Sequence, residues 1–288
     1  IWGVMAIGVY ITYKVLDIAD LTVDGSICTG AAVCTMLLLG GQSPWLALLC
    51  AVLAGVLAGA VTGLLHVGLG IPPILAGILT QMVLWSVNLK LLGKANQALP
   101  ARTTPVLLSQ MDVGGALPVL LGFCVVLVAL LVLFFGTELG CALRATGCNP
   151  VMSRAQGVNT GLMKVVGLAL SNGVVALSGA LLCQYQGYTD VNMGRGAVVI
   201  GLAAVVIGQA VLGRRGGRMA VQLGGVILGA VIYYIVYQVI IFAGFDTDLL
   251  KMFSAVVVAV FLGAPHVKAQ LKAHSRSKKG DSGHAENE

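Results

Sequence analysis

Long apolar runs separated by short polar segments make up most of the sequence. The first run, 1–13, ends at the polar stretch KVLDIADLTVD (14–24), and residues 25–89 then contain no Asp, Glu, Lys or Arg. A helix needs about 20 apolar residues to cross the hydrocarbon core of a bilayer. Residues 25–89 therefore suffice for three crossings, and the Gly/Pro-containing segments GGQSP (40–44) and GLGIPP (68–73) predict the two turns between them.

The same alternation continues to about residue 265, with longer polar segments at 93–115 and 137–163. We therefore predict an all-α polytopic membrane protein with nine visible transmembrane helices in one membrane domain, 1–265. The tail, 266–288, is charged and poor in apolar residues, and we expect it to be disordered. The predicted spans are 1–13, 25–40, 45–67, 72–92, 117–136, 164–184, 197–212, 219–242 and 249–264.

Composition supports a membrane protein and excludes a soluble one. Hydrophobic residues make up 58% of the 288 residues, charged residues only 10%, and the mean hydropathy is +0.97. Soluble domains carry about 25% charged residues. The 39 glycines indicate helices that pack closely against one another.

The distribution of basic residues predicts the orientation in the membrane. The net charge is +6, and Lys and Arg are enriched in cytoplasmic loops of membrane proteins. With the C-terminal tail inside, the segments 14–24, 137–163 and 214–218 are also cytoplasmic, the loops 93–115 and 185–196 face outward, and the visible N-terminus lies outside. The basic residues are dispersed and form no patch with interleaved aromatic residues, so we expect no nucleic-acid binding.

We expect no signal peptide at the start of this sequence. It begins at Ile1 inside an apolar run, without an initiating Met, a charged leader or a cleavage site, which argues against a signal peptide. We expect that residues precede Ile1 and that the first span is incomplete.

Motifs for catalysis or metal binding are missing from the sequence. The seven cysteines form no CxxC pair and lie mostly in apolar runs, where a thiol acts as a small hydrophobic group. We therefore expect no metal site and no structural disulfide. No GxxxxGK[ST], HExxH or GxSxG occurs, so we expect no enzyme activity, and an ATPase that drives transport must be a separate chain.

A carboxylate and a hydroxyl stand at the start of the second span, in LTVDGS. In lipid an unpaired charge is costly, so Asp24 must be paired, solvated or placed at a helix end. Asp24 or Ser26 is either a cap that starts the second helix or part of a broken helix lining a translocation pathway.

Several amides lie within the predicted spans. Gln81 and Asn88 are seven residues apart and share one face of their helix, and Asn172 lies in the middle of another span. Such amides either join helices by hydrogen bonds or line a pathway. The candidate pathway residues are Asp24, Ser26, Gln81, Asn88 and Asn172.

A short helix is predicted inside the polar segment 137–163. Pro150 suits the first helical turn, Asn149 suits the cap, and Gly157 suits a left-handed end after Val151–Gln156. On the cytoplasmic side such a helix either lies in the membrane interface or docks into a groove on a partner protein.

This segment resembles the cytoplasmic coupling loop of ABC importer permeases of the branched-chain amino acid and ribose type. DLTVDGS (20–26) and NMGRGAVVIGLAAVVIGQAVLG (192–213) resemble two further landmarks of that family, and LTVDGS is most similar to the branch that accompanies amino-acid or tryptophan-type binding proteins. Ser153 and Arg154 depart from the family pattern. The matching residues of the coupling loop are Arg144, Ala145, Gly147, Asn149, Pro150, Ala155, Gly157, Val158 and Asn159.

The resemblance implies a multi-pass protein of the bacterial plasma membrane that works with partners. Two permeases, most simply a homodimer, would form the channel. Two ATPase subunits would dock on the coupling loops and bind the ATP, so that this chain needs no cofactor. A periplasmic or lipid-anchored binding protein would deliver the solute. Arg144 would pair with an acidic group of the ATPase or with a membrane lipid phosphate.

The resemblance leaves the solute open: an amino acid is the first expectation, and a sugar, nucleoside or small vitamin is the alternative. A secondary transporter driven by an ion gradient is a second interpretation. Such transporters usually bury ionisable residues at mid-membrane. Here the charges fall at the predicted span edges, which argues against it. A membrane scaffold is a third interpretation, disfavoured by the amides within the spans.

Overall fold

The structure, a computed structural model, is almost entirely helical. A π-helical turn, Ile11–Val15, continues the first helix, and two short strands complete the elements. The structure describes residues 1–100, 106–110, 113–212 and 218–242, with the single residues Met252, Val256 and Ala259. The elements are α1 (Trp2–Tyr10), α2 (Val23–Leu39), α3 (Pro44–Gly68), α4 (Pro73–Leu92), β1 (Asn96–Ala98), α5 (Val113–Gly136), α6 (Glu138–Cys148), α7 (Pro150–Ala155), α8 (Thr160–Gln186), β2 (Tyr188–Asp190), α9 (Ala197–Leu212) and α10 (Met219–Phe242).

The polytopic all-α architecture agrees with the prediction. Among the described residues, α3, α4, α5, α8 and α10 are long and apolar enough to cross a membrane, and α2 and α9 are shorter apolar helices. Each of these seven lies where a span was predicted, and α1 with the π-helical turn lies at the first. The span predicted at 249–264 falls outside the described residues apart from three single positions. The nine-helix count, the orientation and the domain bounds therefore stay predictions.

Helix α8 is the most buried of the long helices. It lies in the compact unit Ile1–Ile232, where α1, α2 and α3 pack against it. Small residues allow the backbones to meet: a Cβ at Gly30 of α2 would overlap the carbonyl oxygen of Ala176, and one at Gly179 would overlap that of Ile27. Close backbone contact through small residues is how helices associate in lipid. The second unit begins at Tyr233, inside α10.

The two ends of α8 carry different structures. At its first residue α8 follows α7 and the turn at Gln156–Asn159. At the other end, β2 pairs antiparallel with β1, with Gln97 opposite Thr189. A helix of 27 residues is about 40 Å long. The predicted coupling loop and the small sheet are therefore separated by about the thickness of a membrane.

The segment 14–24, predicted to be a cytoplasmic connector, lies only partly at the surface of the protein. Lys14 and Asp17 are exposed, but Leu16 contacts Gly167 near the α7 end of α8, and Asp20 is buried against Asn172, midway along α8. Residues 16–22 thus leave the α7 end without forming a helix and enter the interior. Non-helical backbone is tolerated at such depth only where protein covers it.

Candidate functional site

A carboxylate meets the N-terminus of each of two helices, α2 and α9. The Asp20 Oδ1 accepts a hydrogen bond of 2.8 Å from the backbone N–H of Thr22, at the start of α2. The two carboxylate oxygens of Asp24 accept hydrogen bonds of 2.9 Å from the N–H groups of Gly196 and Val198, at the start of α9. A helix N-terminus stabilises negative charge through its free N–H groups and its dipole. The two carboxylates are therefore accommodated at these helix ends.

Asp20 also belongs to a buried polar network, formed by Asp20, Ser26 and Asn172. The Asn172 Nδ2 donates to the Asp20 Oδ2 at 2.7 Å, and the Ser26 hydroxyl donates to the Asn172 Oδ1 at 2.6 Å. Ser26 and Asn172 are completely buried, and Asp20 is 6% exposed. The network ties the non-helical segment and the start of α2 to the middle of α8.

Three threonines continue this polar contact toward the neighbouring helices. The Thr22 and Thr62 hydroxyls lie 2.9 Å apart, and Thr62 donates to Thr80 at 3.0 Å. All three side chains are buried. The start of α2 is therefore joined to α3 and α4 as well as to α8.

A cavity of about 540 Å³ lies between α2, α4 and the loop from β2 to α9. Ligand pockets in proteins typically measure 300–1,000 Å³. Its polar groups include both signs of charge, and its apolar groups include an aromatic ring. It is lined by Asp24, Gly25, Cys28, Ile78, Gln81, Met82, Trp85, Ser86, Asn88, Val191 and Arg195.

One amide that lines the cavity lacks a protein partner. Asn88 is completely buried, and neither its Nδ2 nor its Oδ1 forms a hydrogen bond within the described part of the chain. Buried amides are nearly always hydrogen-bonded, and an unsatisfied one requires an explanation. A molecule in the cavity would supply the missing partner.

The predicted pathway residues divide into two groups. Asp24, Gln81 and Asn88 line the cavity, whereas Ser26 and Asn172 lie in the buried polar network and do not line it. The interpretation of Asp24 or Ser26 as the cap of α2 is wrong, because Asp24 binds the start of α9 and Ser26 binds Asn172. This difference arises from tertiary contacts between residues more than 140 positions apart.

Sequence reasoning missed Asp20 and Trp85 as site residues. Asp20 shares the polar stretch of Asp24, but that stretch was predicted to be a connector facing the cytoplasm. Its burial at the middle of α8 also contradicts the argument that charges lie only at span edges. A carboxylate within an otherwise apolar region is the signal that could have identified it.

The short helix predicted in the coupling loop is present as α7. The Asn149 Oδ1 accepts hydrogen bonds from the N–H groups of Val151 and Met152, and Pro150 is the first helical residue. Gly157 follows the helix with φ of +82°, a left-handed conformation that a side chain would strain. These features confirm the predicted cap and stop.

Hydrogen bonds at the junction of α7 and α8 fix the position of α7. Asn159 accepts a hydrogen bond from the Leu162 N–H and caps α8, and the Arg154 Nε donates to the Thr160 hydroxyl at 2.7 Å. Val151 and Met152 of α7 are 77% and 62% exposed. The helix therefore presents apolar side chains on its free face. A groove of about 280 Å³ beside it is lined by Ala145, Cys148, Asn149, Met152, Ser153, Gln156 and Val158.

Of the remaining coupling-loop residues, Arg144 and Gly147 contact other parts of the chain, whereas Ala145 and Ala155 are exposed. The Arg144 Nη2 donates to the Phe135 carbonyl oxygen at 3.1 Å, at the end of α5. A Cβ at Gly147 of α6 would overlap the carbonyl oxygen of Val15. Ala145 lies in α6 and Ala155 is the last residue of α7. Helix α6 itself, Glu138–Cys148, had been predicted as part of a polar loop.

The cavity and α7 therefore form two distinct features on one scaffold. Leu16 lies beside α8 near α7, and Asp24, eight positions later, lines the cavity. Within the described residues, no group of three His, Cys, Asp or Glu side chains is arranged to hold a metal. The arrangement suits the passage of a polar molecule and contact with a partner at the exposed face of α7.

Comparisons with known proteins show the family to which the chain belongs. The family model for the branched-chain amino acid transport system / permease component matches residues 1–264. The tyrosine transport system permease protein of Clostridioides difficile (strain R20291) is 38% identical over 275 residues, which are 94% of this chain and 90% of that protein. Uncharacterized protein RP368 of Rickettsia prowazekii (strain Madrid E) is 33% identical over 263 residues, 90% of this chain and 92% of that protein.

A more distant relative has a different transport function in its name. The autoinducer 2 import system permease protein LsrC of Escherichia coli (strain K12 / DH10B) is 29% identical over 216 residues, 71% of this chain and 60% of that protein. No solved structure matches this chain. The predicted family is confirmed: the chain belongs to the branched-chain amino acid transport system / permease component family, the non-enzymatic, multi-pass membrane components of ABC importers.

Proposed function

We propose that this chain forms the translocation pathway of an ABC importer for an amino acid. The single observation that carries this proposal is the cavity between α2 and α4, in a chain 38% identical to a permease named for tyrosine transport. The cavity combines a carboxylate, a guanidinium and amides with an apolar wall, as a solute with charged and apolar parts requires. The similarity to that permease also supports the amino-acid branch of the family.

The exposed face of α7 is the proposed docking site for the ATPase. The helix is short, capped at both ends by the chain itself, and exposes Val151 and Met152. Rigid presentation of apolar side chains favours insertion into a groove on a partner. The ATPase subunit binds the ATP, and this chain contributes no cofactor of its own.

The proposed complex contains two copies of this chain, two ATPase subunits and a periplasmic or lipid-anchored binding protein. Closure of the ATPase subunits would draw the two α7 helices together and switch access to the cavity. A ligand shifts a conformational equilibrium toward the state that it binds more tightly. Closed symmetry is the common arrangement of such oligomers. The binding protein would meet the end of the protein that carries β1 and β2, which the distribution of basic residues predicts to face outward.

A solute other than an amino acid is the second candidate. The similarity to a permease named for autoinducer 2 import favours it, although that relative is only 29% identical and this chain spans 60% of its length. A sugar or nucleoside would belong to the same candidate. Uptake measurements with both classes of solute separate the two.

The test of the proposed assembly is purification of the tagged chain from its native membrane in mild detergent. The proposal predicts that an ATPase subunit and a solute-binding protein co-purify, with about one ATPase per copy of this chain. A chain that purifies without an ATPase, under conditions in which a known ABC importer of the same membrane stays intact, would contradict it.

A further inference from the structure

We propose that the cavity is a transient binding site for a zwitterionic amino acid with an apolar or aromatic side chain, and that the Asn88 amide contacts its charged main-chain groups. The inference rests on the proposed function, amino-acid import. It goes beyond it by assigning a recognition site to the permease itself, in addition to the binding protein.

The first argument is the state of Asn88. Its amide is buried beside the cavity, and both its nitrogen and its oxygen lack partners within the described residues. Removing an amide group from water without a hydrogen bond is unfavourable. A ligand that offers an acceptor and a donor together would satisfy both atoms.

The second argument is the charge balance of the lining. Asp24 and Arg195 carry opposite charges, and Gln81, Ser86 and Asn88 are neutral groups that both donate and accept hydrogen bonds. Such a lining favours neither a simple anion nor a simple cation. A zwitterion matches it, because its carboxylate accepts from an amide N–H₂ while its ammonium group donates to an amide oxygen.

The third argument is the apolar wall. Ile78, Met82 and Trp85 lie on successive turns of α4, and all three line the cavity. The volume, about 540 Å³, lies in the lower half of the range for small-molecule pockets. Methionine adapts to different side-chain shapes, and tryptophan offers a flat aromatic face. The apolar wall and the polar groups together fit an amino acid with an apolar or aromatic side chain.

Protection of a cysteine from labelling tests the site directly. In the proposed experiment, Ser86→Cys is introduced into the permease–ATPase complex in proteoliposomes. The rate of maleimide labelling is measured for this variant and for the parent chain, whose own cysteines give the background rate. Ser86 is exposed and lines the cavity. We expect phenylalanine to slow labelling in a saturable manner, by about tenfold when its concentration is ten times its Kd. Phenethylamine, which lacks the carboxylate, phenylpropionate, which lacks the amine, and glucose should protect far less.

A second variant assigns the contact to Asn88. Asn88→Leu, combined with Ser86→Cys, should raise the half-protecting concentration of phenylalanine by about tenfold, because it removes hydrogen bonds to charged groups. The matched control is Val83→Leu on the same helix, which is exposed and does not line the cavity. Asn88→Leu should fold, since it replaces an unsatisfied amide by an apolar side chain of similar size.

The outcomes separate this inference from the proposed function. Equal protection by phenylalanine and glucose, no protection at all, or equal effects of Asn88→Leu and Val83→Leu would overturn the site. Uptake of a labelled amino-acid mixture that includes tyrosine and phenylalanine is measured independently with the unmodified complex. Its absence would overturn the proposed function, whereas uptake without protection would overturn only the site within the permease.

Discussion

The buried polar network offers the sharpest test of how the interior is held together. In Asn172→Leu, the Asp20 carboxylate loses the hydrogen bond from the Asn172 Nδ2, and the Ser26 hydroxyl loses its acceptor. All three side chains are buried, so water does not replace the lost partners without a change in structure. We expect this substitution to destabilise the protein strongly.

The magnitude follows from the two hydrogen bonds. A bond to a charged group contributes about 1.5–3 kcal/mol, and a buried hydroxyl left unsatisfied costs about 1–3 kcal/mol. The expected loss is therefore about 3–5 kcal/mol, a large part of the 5–15 kcal/mol typical of native proteins. At about 2–4 °C per kcal/mol for a chain of 150–250 residues, the midpoint of thermal unfolding should fall by about 6–20 °C.

The assay is the loss of monodisperse permease–ATPase complex on heating in detergent, followed by fluorescence-detected size exclusion. The matched control is Ser171→Ala, at the neighbouring position of α8, which removes one buried hydrogen bond of 2.7 Å to the Gly8 carbonyl oxygen. That control should cost about 1 kcal/mol. Asn172→Leu combined with Asp20→Leu should be less destabilising than the sum of the two single changes, because both disrupt the same bond. Equal effects of Asn172→Leu and Ser171→Ala, or strict additivity in the double variant, would refute the network.

Three further predictions concern other parts of the chain. Asp24→Asn should lower the thermal midpoint by about 4–8 °C, since it keeps only one of the two acceptors for the N–H groups of α9 and loses about 1 kcal/mol of charge–dipole attraction and about 1 kcal/mol for the second hydrogen bond; an unchanged midpoint would contradict this reasoning. Gly157 has φ of +82°, a conformation in which valine is strained. Gly157→Val should therefore abolish co-purification of the ATPase while the chain still inserts into the membrane, and the control variant Gln156→Ala should still co-purify with the ATPase. An intact complex with Gly157→Val would show that docking does not depend on this turn. Gly30→Ala should destabilise the complex by about 1–3 kcal/mol through overlap with the backbone of α8. Gly122→Ala, inside α5, meets open space and should cause no loss of stability in the same unfolding assay; equal losses in the two variants would contradict the close packing.

The sequence predicted the long helices well, because each needs only an uninterrupted apolar run. The span predicted at 197–212 matches α9, and that at 219–242 matches α10. The coupling helix was equally accessible, since Asn149, Pro150 and Gly157 act through contacts within a few residues. Local signals of this kind need no knowledge of the fold.

Two parts of the site could not be derived from local signals. The segment 16–22 contains charges and lacks helical periodicity, which normally indicates a surface loop, yet Asp20 is stabilised inside by the start of α2 and by Asn172. The role of Asp24 depends on α9, which begins 173 positions later in the chain. Only the packing of distant helices brings these groups together.

Only some of the predicted pathway residues lie together, for the same reason. Gln81 and Asn88 were chosen because they share a helix face, and they do line one cavity. Asn172 was chosen for its position in mid-span, but it instead holds Asp20 and Ser26. Periodicity identifies which residues share a face, whereas the neighbouring helices determine whether that face meets a cavity or another side chain.

The central claim, that this chain is the pathway of an ATP-driven amino-acid importer, is tested most directly by uptake into proteoliposomes. The measurement follows labelled tyrosine entering vesicles that contain the complex, with binding protein outside and ATP inside. The account predicts uptake that requires both ATP and the binding protein and that is unaffected by ion gradients. Gradient-driven uptake by this chain without the ATPase would contradict it.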